Sequence, residues 1–178
     1  MGQYFKLVNL TKREFVRPWD IDGGAKLWEW TANLNQCGVI LSLINGRWKE
    51  SRIVLVGDYD SSKLYDTVSE EYKNVSSIAK KLFNSTETQK LIKSKKKLYL
   101  INKNKNQYIA GSFKQLSICL PLVLRQSDSR GGGDIYEDYG TAGIWVDCSL
   151  SLSLKEPSSL YLNMTSEIYK DAFDFYKH

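Results

Sequence analysis

The chain has 178 residues, 42% hydrophobic and 25% charged, enough to close one core and too apolar for a disordered chain. A formal charge of +5 and a pI near 9.0 admit an acidic partner without naming one. No apolar run approaches the ~20 residues of a membrane span, and the N-terminus lacks the charged-then-apolar order of a secretory leader, so a cytoplasmic location is expected.

"MGQYFK" puts Gly2 where N-myristoylation requires it, but Lys6 stands where Ser or Thr is preferred. The segment reads instead as the start of a strand. "YFKLVNLTKREFV" from Tyr4 passes from an apolar stretch to Asn, through a Lys-containing polar segment, and back to an aromatic and a β-branched residue. That order predicts a hairpin over 4–17. "GGAKLWEWTANL" (23–34) predicts a helix with Leu27, Trp30 and Leu34 on one face. Trp28 and Trp30 then lie about 200° apart, so one is expected in the core and the other as an exposed partner contact. Strands are predicted at 38–44 and 52–58, flanking the turn signal Asn45-Gly46 in "NGRWKE". "SEEYKNVSSIAKKLF" (69–83) predicts a helix presenting Tyr72, Val75, Ile78 and Leu82.

After "KSKKK" at 93–97 the sequence repeats itself. "LYLINKNKNQYIA" from Leu98 restates the opening hairpin at an offset of 93 residues, pairing Asn9 with Asn102 and Phe15 with Tyr108. "SEEYKNV" (69–75) is echoed by "SEIYKDA" (166–172), at an offset of 97. Between the echoes "ICLPLVL" (118–124) matches "VILSLI" (39–44), and "GIWVDCSLSL" (143–152) matches "RIVLVGDY" (52–59). Alternation in "CSLSLSL" sets Leu150, Leu152 and Leu154 on one face of a half-buried strand. A tandem duplication accounts for the collinear order. The expected fold is α+β: a mixed or mainly antiparallel sheet with helices, built from two ββαββα-like halves around a pseudo-two-fold axis. The units would be 1–92, the Lys-rich link 93–97, and 98–178, in one globular body. Oligomeric state is not legible.

"MGQYFKLVNLTKREFV", "GAKLWEW" and "GRWKESRIVLVGDYD" occur in that order over residues 1–60, and "RGGGD" stands at 130–134. The chain thereby resembles a group of small microbial proteins with the pattern MGQYY-LVNLDK, KLWE, GRWAGDR and GDY. Thr11 replaces the usual Asp, and "KES" replaces "AGD" before Arg52. In the group "RGGGD" often precedes "GRW", whereas here it sits in the second half. The resemblance implies relatives and no activity.

The chemistry is sparse. Cys37, Cys119 and Cys148 form no CxxC pair, and the one histidine is the terminal His178. That argues against zinc and against Ser-His or Cys-His catalysis. P-loop and GxGxxG motifs are missing, which argues against a dinucleotide; the cofactor, if any, is unknown. Three binding stretches can be named. Arg130 with Gly131, Gly132 and Gly133 could cradle an anion on successive amides. Arg47, Trp48 and Arg52 could stack a base and hold phosphate. Lys95 and its neighbours form either a solvated link or a nucleic-acid contact. The leading expectation is a non-enzymatic binding protein whose partner is a protein or a nucleic acid. The alternative is a metal-dependent, phosphate-directed hydrolase or nuclease using Asp58, Asp60, Asp134 and Asp138.

Overall fold

The computed structural model describes residues 1–178 and is α+β, with seven α-helices and a mixed nine-stranded sheet. Strands β1 (Phe5–Asn9) and β2 (Glu14–Val16) form the opening hairpin. Its turn carries Arg13 at φ 52°, and the Asn9 carboxamide accepts from Lys12 N at 2.8 Å. Helices α1 (Leu27–Ala32) and α2 (Leu34–Asn45) follow, then β3 (Arg52–Gly57), α3 (Leu64–Glu71), the two-residue β4 (Lys73–Asn74), α4 (Ser76–Phe83) and α5 (Thr86–Lys93). The second half runs β5 (Leu98–Asn102), β6 (Gln107–Gly111), α6 (Phe113–Val123), β7 (Arg125–Gln126), β8 (Cys148–Ser153), β9 (Leu162–Asn163) and α7 (Thr165–Lys177).

Strand order is β4-β2-β1-β3-β8-β5-β6-β9, with β7 beside β3. Alternation divides the faces. Phe5, Leu7, Ile53, Leu55, Leu98, Leu100 and Leu150 join the main core with α1, α2, α4, α6 and α7. Val8, Phe15, Val54 and Val56 face the opposite way and are covered by Leu64, Tyr65 and Val68 of α3.

The two halves correspond in backbone conformation at their turns. Asn106 (φ 50°) stands where Arg13 does, and Asp147 (φ 60°) where Glu50 (φ 57°) does. Trp48 Nε1 donates to Glu14 at 2.7 Å, and Trp145 Nε1 to Gln107 at 2.8 Å. Parallel pairs β2–β4 and β6–β9 occupy equivalent edges, each followed by a helix whose first residue, Ser76 or Thr165, donates its N–H to the side chain of Asn74 or Asn163. Reciprocal bonds join the halves: Glu50 N to Leu150 O at 2.9 Å, and Asp147 N to Ile53 O at 3.0 Å. Arg52 and Ser149 face each other between them, so an approximate two-fold axis passes there, between the packed helices α2 and α6.

Neither half keeps the expected order ββαββα: the first runs ββααβαβαα and the second ββαβββα, and other segments form these elements than the sequence predicts. Residues 38–44 are helix, not strand: α2 is buried from Gln36 to Ile44, and an all-round apolar run has no period to tell helix from strand. The predicted helix 23–34 shrinks to α1, because Asn33 ends it and caps α2. The predicted helix 69–83 is broken at Tyr72, where β4 pairs with β2. The 69–75 echo therefore does not hold in space. Thr165 matches Ser76, so residues 166–172 correspond to 77–83. Leu154 lies beyond β8 and is 59% exposed.

Candidate functional site

The N-terminal segment, Lys26, Asp58 and the glycine loop meet at one end of the sheet, whereas Arg47 and Trp48 lie at the other, beside the hairpin turn. Met1–Gln3 runs before β1 and lies against the glycine loop: Gly132 N donates to Met1 O at 3.1 Å, and Gly2 and Gly132 form a parallel bridge. A Cβ on Gly131 would stand 2.7 Å from Gln3 N. Gly133 has φ +83°, and a Cβ there would meet the Lys26 side chain at 2.5 Å. Gly131 and Gly133 are glycine because the N-terminal segment and Lys26 press on the loop backbone, whereas a Cβ on Gly132 would meet nothing closer than 3.7 Å. It is a packed clasp, not the open anion cradle expected of Gly131–Gly133. Asp58 extends the clasp: its N donates to Tyr4 O at 2.9 Å and its carboxylate accepts from Tyr4 N at 3.0 Å.

Beneath it lies a buried ion pair. Arg125, at the start of β7, donates through Nε and Nη2 to Asp134 at 2.6 Å each. The Asp134 side chain is fully buried and also accepts from Ile135 N at 2.7 Å. The buried Gln3 amide is satisfied when its nitrogen is assigned to the side facing Asp134 and Ser129 O, to which it then donates at 2.5 and 3.1 Å. Two forked bonds and an amide compensate the charges for leaving water.

The other candidates are likewise bound into the fold. Trp48 is fully buried and bonded to Glu14, so it cannot stack a base. Arg47 forks onto the same carboxylate, with Nε at 3.0 Å. Burial pushes the Glu14 carboxyl up, but the bonds from Arg47 and Trp48 outweigh it and hold the pKa below the ordinary value. Arg52 forks onto Asp147 at 2.7 and 2.8 Å across the two-fold axis. Arg130 pairs with Asp138.

Nor do the four aspartates gather. Asp60 accepts from Ser62 N and from Gln126 at 3.0 Å, Asp58 serves Tyr4, Asp138 serves Arg130, and Asp134 is held by a guanidinium. No group of three or more His, Cys, Asp or Glu could hold a metal ion. Sequence reading missed Gln3, Glu14 and Arg125, whose roles arise only from contacts far along the chain.

Free charge and aromatic surface lie elsewhere. Lys90, Lys93, Lys95, Lys96 and Lys97 are exposed, and none forms an ion pair. Trp30 is buried, while Trp28 is 41% exposed, as the helical spacing anticipates. No helix is long and apolar enough to cross a membrane. Compared with protein-family models, curated proteins and solved structures, the chain matches none.

Proposed function

We propose that the protein is a non-enzymatic binding protein that docks on a nucleic-acid strand through Lys90, Lys93, Lys95, Lys96 and Lys97. The observation that carries this reading is that five unpaired lysines occupy one exposed stretch, while Arg47, Arg52, Arg125 and Arg130 are each engaged by a carboxylate. Strand binding by such a stretch releases counterions and weakens steeply with salt. The hydrolase alternative has lost the convergence of carboxylates it needs.

Anisotropy of a labelled single strand, titrated at low and moderate salt, tests this. Binding should weaken roughly tenfold or more with a fourfold rise in salt, and Lys93→Glu/Lys95→Glu/Lys96→Glu should abolish it. Salt-insensitive binding, no binding, or an unaffected triple variant would refute the reading. A protein partner is the second reading, favoured by Leu162, which is 60% exposed at the edge position where the first half has Lys73.

A further inference from the structure

The sheet ends at β4 on one side and at β9 on the other, and the approximate two-fold axis makes these edges equivalent. An edge strand presents unpaired backbone groups to any second strand, and proteins guard such edges with charge, lysine above all. The β4 edge is guarded: Lys73 is exposed on it, and the Asn74 carboxamide donates to Asp20 at 2.9 Å. At β9 the guard is missing. Leu162 stands in the place of Lys73 and is 60% exposed, and Leu160 just before it is 83% exposed.

Leu162 N and Met164 N donate inward, to Asn106 O and Tyr108 O at 2.8 Å each. The N–H and C=O of Asn163 between them therefore point away from the sheet. The larger clefts of the molecule are lined by other segments, so the leucines sit on an open edge and not in a groove. The free charges at this edge differ in sign at its two ends. Leu162 lies beside the turn that joins β5 to β6, and Lys105 in that turn is exposed and forms no ion pair. Past the other end, Glu167 in the first turn of α7 is exposed and likewise unpaired. Lys103 is already engaged by Glu50, and Glu156 accepts from the Tyr108 hydroxyl at 3.3 Å.

An edge that is basic at its start and acidic past its end is complementary to an antiparallel copy of itself. We propose that β9 pairs with β9 of a second copy of this chain across a two-fold axis. Leu160 and Leu162 are then buried between the copies, and each Lys105 faces the Glu167 of the other. The pairing is isologous, so it closes at a dimer and leaves only the guarded β4 edges outside. A contact of a few edge residues is small beside the ~1,200–2,000 Å² of a stable complex, so the dimer is weak and concentration-dependent. This names the partner in the protein-partner reading above and rests on it; strand docking by the lysines of 90–97 is independent of it.

Sedimentation velocity of the full chain from roughly 1 μM to 1 mM tests this. Wild type should pass from monomer to dimer over that range. Leu160→Ser/Leu162→Lys should raise the dissociation constant by about tenfold or more, while circular dichroism stays unchanged. Lys105→Glu alone and Glu167→Lys alone should each weaken association. An equimolar mixture of the two should restore it, because each variant carries the charge that the other lacks. A monomer at every concentration, a dimer indifferent to the leucines, or a mixture no better than either variant overturns the proposal. Leucine-dependent binding of anionic vesicles by a monomeric chain would overturn it in favour of a membrane surface. Leucine-dependent capture of a foreign protein by a monomeric chain would overturn the second copy and leave the protein-partner reading standing.

Discussion

Replacing Asp134 by Ala separates a structural carboxylate from a ligand-binding one. The substitution leaves Arg125, whose side chain is only 9% exposed, without its forked partner. It also takes an acceptor from Ile135 N and from the Gln3 amide. Breaking a buried pair on one side costs about 3–5 kcal/mol, because the remaining charge stays desolvated. For a chain of this size about 1 kcal/mol shifts the melting temperature by ~2–4 °C, so a fall of roughly 6–20 °C is expected. Differential scanning calorimetry measures it directly. The double variant Arg125→Met/Asp134→Leu removes both charges and should recover much of the loss. Had Asp134 been kept for metal or phosphate chemistry, its removal would relieve repulsion and leave stability level or higher. A drop of less than about 1 kcal/mol in Asp134→Ala, or a double variant no better than the single, would refute the structural assignment.

Glu14 gives a pH test. Its pKa is lowered in the fold, so its contribution is present above the ordinary value of 4.5 and lost as pH falls through the folded value. The stability gap between wild type and Glu14→Gln, from urea melts, should therefore narrow below pH 4.5; a constant gap would contradict the assignment. Burial pushes the Cys37 thiol up to about 12 and the Cys119 thiol up as well, and Cys148 is also buried. A thiol-reactive dye should label none of the three in native protein and all three after denaturation; prompt native labelling would contradict their burial. At Gly111 a Cβ would fall 1.9 Å from the Tyr169 hydroxyl, which donates to Ala110 O at 2.7 Å. Gly111→Ala should cost about 1–3 kcal/mol by displacing that ring; an unchanged urea midpoint would show that the ring yields freely.

Local chemistry makes some of the architecture readable. The hairpins at Asn9 and Asn102 were visible because Asn, a positive-φ residue and flanking apolar strands lie within a few residues of each other. Their repetition forecast equivalent positions in the sheet. The exposure of Trp28 against the burial of Trp30 followed from helical spacing alone. The second echo misled because "SEEYKNV" and "SEIYKDA" share letters but not environment: Tyr72 ends α3, whereas Tyr169 lies within α7. Helix α2 was misread because a segment buried on every side has no polar face to mark its period.

What the sequence by itself determined is the class of fold, the twofold repetition and the poverty of catalytic groups. Tertiary structure decided everything about the site. Gln3 meets Asp134, Glu14 meets Trp48 and Arg52 meets Asp147 across long stretches of chain, and no local pattern encodes such partnerships. A charged side chain looks equally available in sequence whether it is free or paired. Only folding, which sets the cost of desolvating each charge against the partner placed beside it, paired the arginines and left the lysines of 90–97 exposed without ion-pair partners.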